Sequence, residues 1–192
     1  MLHPESVAAV TEILGEVEAL TEHKAGWDID PTILGLLTPS DANDRRILVQ
    51  TLPIPSGHWS TPDPLRPGQN LPSSVVLGGI AQHLAGATAP EWFAEWARPA
   101  GHRVIAVAFM GEFWASGRIE GYAYGDLRAM PALASHELRI VTALDVDGRI
   151  HDVTRARGTE PVSTVNAEPP QQALDSLIVA ALRNLLAACA PQ

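Results

Sequence analysis

Apolar residues recur every three or four positions through the first two dozen residues. Val7, Val10, Leu14, Val17 and Leu20, with Ile13 beside them, make one stripe, which predicts an amphipathic helix. Pro4 and Glu5 suit its first turn, His23 and Lys24 its last, and Gly26 its stop. Glu16, Glu18 and Glu22 fall on the opposite, acidic face, where solvation is the simplest expectation. Pro31 then pushes Asp30 towards an extended backbone. The short apolar run 32–37 reads as a strand, with a helical turn as its rival. A polar turn over 38–45 leads to a second strand at 47–52, which Pro53 and Pro55 end.

Residues 53–72 break the periodicity. Pro53, Pro55, Pro62, Pro64, Pro67 and Pro72, with Gly57 and Gly68, exclude both a helix and a central strand. Long irregular stretches inside a domain are often functional, and this one carries His58 and Trp59. Residues 73–84 regain helical spacing through Val76, Ile80 and Leu84, although Gly78 and Gly79 each weaken a helix by about 1 kcal/mol relative to Ala. Thr88-Ala89-Pro90-Glu91 has capping-box spacing and opens a short helix bearing Trp92, Phe93 and Trp96. The run 103–115 is the strongest strand. Its unbroken apolar start suits cover on both faces. After Gly111 it alternates, with Glu112 and Trp114 to one side and Phe113 and Ala115 to the other.

A second long connection spans 116–135. The arms 137–145 and 149–157 predict a hairpin around Asp145-Val146-Asp147-Gly148, with Leu138, Ile140, Thr142 and Leu144 sharing a face. Residues 158–170 read as a polar linker. A last helix, from about 170 to 188, shows a stripe of Leu174, Leu177, Ile178, Ala181, Leu185 and Ala188. The expectation is one α+β domain over 1–192, with a long proline-rich loop at 53–72. Its sheet is mainly antiparallel, or mixed, with about five strands flanked by the N- and C-terminal helices.

Composition narrows the function classes. The chain has 192 residues, 46% of them apolar, an ordinary globular value that argues against disorder. The net charge is −9, Lys24 is the one lysine, and the arginines are scattered, which argues against nucleic-acid binding. Cys189 stands alone, so an intramolecular disulfide and a multi-thiolate zinc site are excluded. The N-terminus lacks the pattern of a signal peptide, and the longest apolar run, 104–110, is far short of a membrane span. A soluble, cytoplasmic protein without a membrane partner is therefore expected.

The chemistry on offer is dispersed. No dinucleotide or phosphate loop, nucleophile elbow or His-Glu-x-x-His is present. The seven histidines are never three or four residues apart, so no local metal clip exists, and neither a metal nor a cofactor is expected. His136 and His151 lie on opposite hairpin arms and could approach near its open end, giving at most two ligands. Glu112 follows an apolar strand, where a carboxylate with a raised pKa can act as a general acid or base. Its plainer reading is a solvated group at a sheet edge. His136 is the other catalytic candidate. Trp59, Trp92, Trp96 and Trp114 are candidates for a partner-binding patch, because tryptophan is enriched at interface hot spots. Core packing explains them more simply. Ser56-Gly57-His58-Trp59-Ser60 sets hydroxyls beside a histidine, but no third orienting group is signalled.

Gly26-Trp27-Asp28, the hairpin His136-Glu137-Leu138-Arg139-Ile140-Val141 with Asp147-Gly148-Arg149, and an Ala/Leu-rich closing helix form a familiar order. This resembles a set of uncharacterised small proteins of high-GC actinobacteria and their mobile elements. Those carry a Gly-Trp-Asp-x-Pro-Pro-like motif and a Val-Arg-Ile-Val…Asp-Gly-Arg hairpin. The resemblance covers about half the chain, Asp30-Pro31 stands where a double proline is expected, and no activity is implied. The leading expectation is a non-enzymatic interaction or accessory protein, encoded by a phage or mobile element, with a protein partner or as a homo-oligomer. The alternative is a small hydrolase-like or ligand-binding enzyme with a Glu112/His136 pair in a cleft.

Overall fold

The computed structural model describes residues 1–40, 46–115 and 136–190, and of the strand residues Trp114, Ala115 and His136 it describes the backbone alone. Six strands form one sheet: β1 (Thr32–Pro39), β2 (Leu48–Thr51), β3 (His102–Ala115), β4 (His136–Asp145), β5 (Ile150–Ala156) and β6 (Val162–Asn166). Their spatial order is β2-β1-β3-β4-β5-β6, and every neighbouring pair is antiparallel. The helices are α1 (Pro4–Lys24), α2 (Ser73–Leu84), α3 (Glu91–Ala97), α4 (Gln171–Leu174) and α5 (Leu177–Cys189). The α+β class, with N- and C-terminal helices packed on an antiparallel sheet, is as expected. No helix among the described residues is long and apolar enough to cross a membrane.

Strand alternation splits the sheet into two faces. On one face Leu34, Leu36, Ala106, Ala108, Met110, Val141, Ala143 and Val153 meet Val10 and Leu14 of α1. On the other Ile33, Leu37, Val107, Phe109, Leu144 and Ile150 meet α2, α3 and α5. The unbroken apolar start of β3 is therefore covered on both sides, as its composition predicts. A register shift between Leu36 and Leu37 leaves Ile105 as the extra residue. This bulge lets Ile105 and Ala106, consecutive in the chain, both join the α1 side.

Several local expectations need correction. Among the described residues the sheet has six strands where about five were expected, and the sixth, β6, lies inside the segment 158–170 expected to be a linker. Its short, polar-rich Val-Ser-Thr-Val-Asn run is an edge strand whose pairing with β5 supplies what its own pattern does not signal. The closing helix is interrupted: α4 stops at Leu174, and Ser176 caps α5 by accepting from the Val179 N–H at 3.3 Å. The capping box at Thr88 does not form, since Pro90 occupies the N-cap of α3 without a side-chain cap. The acidic face of α1 is not uniformly solvated, because Glu18 is completely buried. The segment 53–72 is built rather than formless. Leu52 and Trp59 anchor it in the core, a 3₁₀ turn spans Ser56–His58, and a bridge joins Pro62 to Asn70.

Candidate functional sites

Polar chemistry concentrates where α1 ends. Gly26 adopts φ +70° and stops the helix, and Asp28 follows with φ +68°, a left-handed conformation that Asp tolerates better than most residues. This turn folds Trp27 back over β4. There the Arg139 guanidinium lies 4.6 Å from the Trp27 ring centroid, with Arg157 at 5.5 Å. Arg139 is fully buried. It donates to Glu18 at 3.3 Å, to Glu22 at 3.0 Å and to Glu112 Oε1 from both Nε (3.1 Å) and Nη2 (2.8 Å). It also donates to the carbonyl of Gly26, just past the end of α1. Arg155 forks onto Glu18 at 2.7 and 2.8 Å.

Glu112 is therefore not a solvated edge group. Its Oε1 takes Arg139, and its Oε2 accepts the backbone N–H groups of Asp28 (2.8 Å) and Ile29 (3.3 Å). Carboxylate oxygens of Asp28, Glu112 and Glu137 lie within 4.8 Å of one another. Glu137 already accepts from Arg157 at 2.6 Å, so two of these three carboxylates are neutralised by guanidinium groups. The arrangement can hold a turn and balance charge. In the backbone register Glu112 sits opposite Arg139, whereas His136 sits opposite Ala115, and the side chain of His136 lies outside the described residues.

A second polar cluster lies at the β4–β5 turn. Thr11 of α1 meets His151 Nδ1 at 2.9 Å, and His151 Nε2 meets Asp145 at 3.2 Å. Asp145 also accepts the backbone N–H groups of Asp147 and Arg149 and the Arg149 guanidinium. Burial by itself would raise the Asp145 carboxyl, but the hydrogen bonds from His151 and Arg149 outweigh it and hold the group below its usual range. The Thr–His–Asp line has the outline of a nucleophile, base and orienting acid. His151 and Asp145 are fully buried beneath α1, however, so nothing reaches the imidazole. The expected approach of His136 to His151 is corrected. His151 pairs with Ala143, seven positions along β4 from His136, which puts their backbones roughly 20 Å apart. On the opposite face of the sheet Thr142 donates to Asp152 at 2.6 Å. Burial pushes the Asp152 carboxyl up to about 6, against that hydrogen bond and the His151 charge.

The third feature is apolar. An open groove of about 690 Å³ runs between the proline-rich segment (Pro53 to Thr61, and Leu71) and the outer side of α2, with Pro90 and Trp92 closing one end. Gly79 lines it, exposed, with nothing within 4 Å of where a Cβ would stand, so the missing side chain leaves the groove open. The candidate tryptophans separate here. Trp92 lines the groove and is 39% exposed. Trp59 is buried against Phe109, their centroids 5.9 Å apart. Trp96 stacks on Phe93 and lies against the bare backbone of Gly35, where a Cβ would come 2.8 Å from its ring. Trp114 stands opposite Glu137 in the strand register, and its side chain lies outside the described residues.

The sequence reading missed Arg139, Arg155, Glu18 and Trp27 as a unit. A signal was present: Arg139 stands between Leu138 and the apolar pair Ile140-Val141 in a strand, and Glu18 lies four residues after Leu14 on the apolar stripe. Two opposite charges at core positions on different elements are a pairing pattern. In class the molecule is an antiparallel α+β protein, with six strands among the described residues and helical layers on both faces. No family model, curated protein or solved structure matches it.

Proposed function

We propose that this chain is a non-enzymatic interaction or accessory protein, of a phage or mobile element, that docks a protein partner in the groove between the proline-rich segment and α2. The observation that carries this reading is the contrast in chemical availability. Glu112, the carboxylate best placed by sequence for acid–base work, has both oxygens occupied, whereas proton transfer needs a group within reach of a substrate. The groove, by contrast, offers exposed apolar surface, with Trp92 and Val75 half out of water. Apolar concavities rimmed by aromatic side chains are where partners seat their anchor residues.

A photocrosslinking amino acid placed at Val75 in the groove, and separately at Glu16 on the exposed face of α1, tests this in cells that make the protein natively. A protein adduct formed from position 75 and not from position 16 is the expected outcome. Equal adducts from both positions, or adducts from position 16 alone, would contradict it.

A further inference from the structure

The groove lining divides cleanly by chemistry. Among the described residues, His58, Thr61 and His83 are its polar side chains, and the rest are Pro, Ile, Leu, Val, Gly and Trp. No carboxylate, lysine or arginine among the described residues lines it, in a chain with 22 acids against 13 bases. The acid nearest in sequence to the lining is Glu91, between Pro90 and Trp92, and it is not part of the wall. Both imidazoles are exposed, and neither has a hydrogen-bond or ion-pair partner among the described residues.

A partner that covers the groove takes those imidazoles out of water, and each then needs a partner of its own. A carboxylate answers that need best, because it accepts from imidazole and makes a charge-assisted bond to imidazolium. Lysine or arginine can accept no hydrogen bond and would meet like charge whenever an imidazole is protonated. The chain's net charge of −9 opposes an incoming carboxylate, whereas the described residues of this lining set no like charge against it.

We propose that the partner segment is an apolar–acidic peptide. One or two bulky apolar side chains seat against Ile54, Leu71 and Ile80, and a neighbouring Asp or Glu faces His58 or His83. This rests on the reading of the groove as the docking surface.

Calorimetric titration of the full chain at about pH 6 tests it with three synthetic peptides. All are acetylated and amidated at their ends. The first reads Gly-Glu-Leu-Phe-Glu-Gly, and the others carry Gln or Lys in place of both Glu. The Glu peptide binds about tenfold or more tightly than the Gln peptide, and the Lys peptide binds least. The double variant His58→Gln with His83→Gln, both at exposed positions, removes the Glu preference, so that the Glu and Gln peptides bind with equal affinity. Gly79→Leu, which fills the groove, abolishes binding of all three. Equal affinities for the Glu and Gln peptides, a preference for Lys, or no binding of the Glu peptide up to about 1 mM would overturn the inference. Equal affinities that Gly79→Leu abolishes would overturn the carboxylate but keep the groove. A Glu preference untouched by Gly79→Leu would put the site elsewhere and sink both.

Discussion

The two faces of the sheet are covered in different ways. The α1 face adds a buried charged cluster to its apolar contacts: Arg139 and Arg155 reach inward from the strands, and both meet Glu18 of the helix away from water. The α2–α3–α5 face is closed with aliphatic and aromatic side chains. The charged face is over-determined, since Arg139 touches Glu18, Glu22, Glu112 and the Gly26 carbonyl at once. The apolar face is closed less completely, and the groove opens along its outer helix. Directional contacts hold Arg139, Arg155, Glu18 and Glu112 to partners within the chain. Non-directional apolar packing leaves surface that a partner can share.

The largest effect expected from breaking this comparison lies in the charged face. Glu18→Ala leaves two guanidinium groups short of their buried counter-charge and lowers stability by about 3–5 kcal/mol in urea unfolding. A loss below about 1 kcal/mol would mean that Glu22 and Glu112 suffice for both arginines. On the apolar face, Gly35→Val drives a side chain into the Trp96 ring and lowers stability by about 1–3 kcal/mol. Near-UV circular dichroism should register the displaced indole.

A smaller effect of opposite sign is expected at Asp152, the titratable group held on the far side of the sheet from α1. Its folded pKa, about 6, stands above the ordinary value of 3.8. At pH 7 the carboxylate is ionised in both states and its burial counts against folding. As the pH falls from about 6 towards 4, the folded state takes up the proton first, and this group's contribution to stability rises. Asp152→Asn removes that trend and stabilises by about 1–2 kcal/mol at pH 7, keeping a hydrogen bond to the Thr142 hydroxyl. Asp145 acts in the other sense: its lowered pKa stabilises at neutral pH, and that stability is lost as the pH falls through its folded value. Gly79→Leu should change stability least, by about 1 kcal/mol or less and in the stabilising direction. It replaces a helical glycine where nothing obstructs a Cβ.

The same contrast explains how much the sequence reveals. Helix α1, helix α2 and strand β3 are legible because their apolar spacing is long and regular, and the β4–β5 hairpin because Asp147-Gly148 marks its turn with Gly148 at φ +84°. Strand β6 is illegible because an edge strand with half-exposed Val162 and Val165 carries little periodic signal. The charged cluster is only half legible. Glu112 stands out against its apolar strand, but its partners come from a helix end, a turn and a strand that only the fold brings together. The groove is least legible, since it is made of a gap: a glycine in α2 and a proline-rich segment whose course depends on Leu52 and Trp59 being buried.

The central claim, that partner recognition belongs to the apolar face and not to the charged one, is tested most directly by partner retention. The protein crosslinked from position 75 would be identified, purified and titrated against the wild type, Gly79→Leu and Arg157→Ala, the last of these altering the Trp27 end of the charged face. The account predicts wild-type affinity for Arg157→Ala and a loss of about a hundredfold or more for Gly79→Leu. Wild-type affinity for Gly79→Leu together with a loss for Arg157→Ala would contradict it.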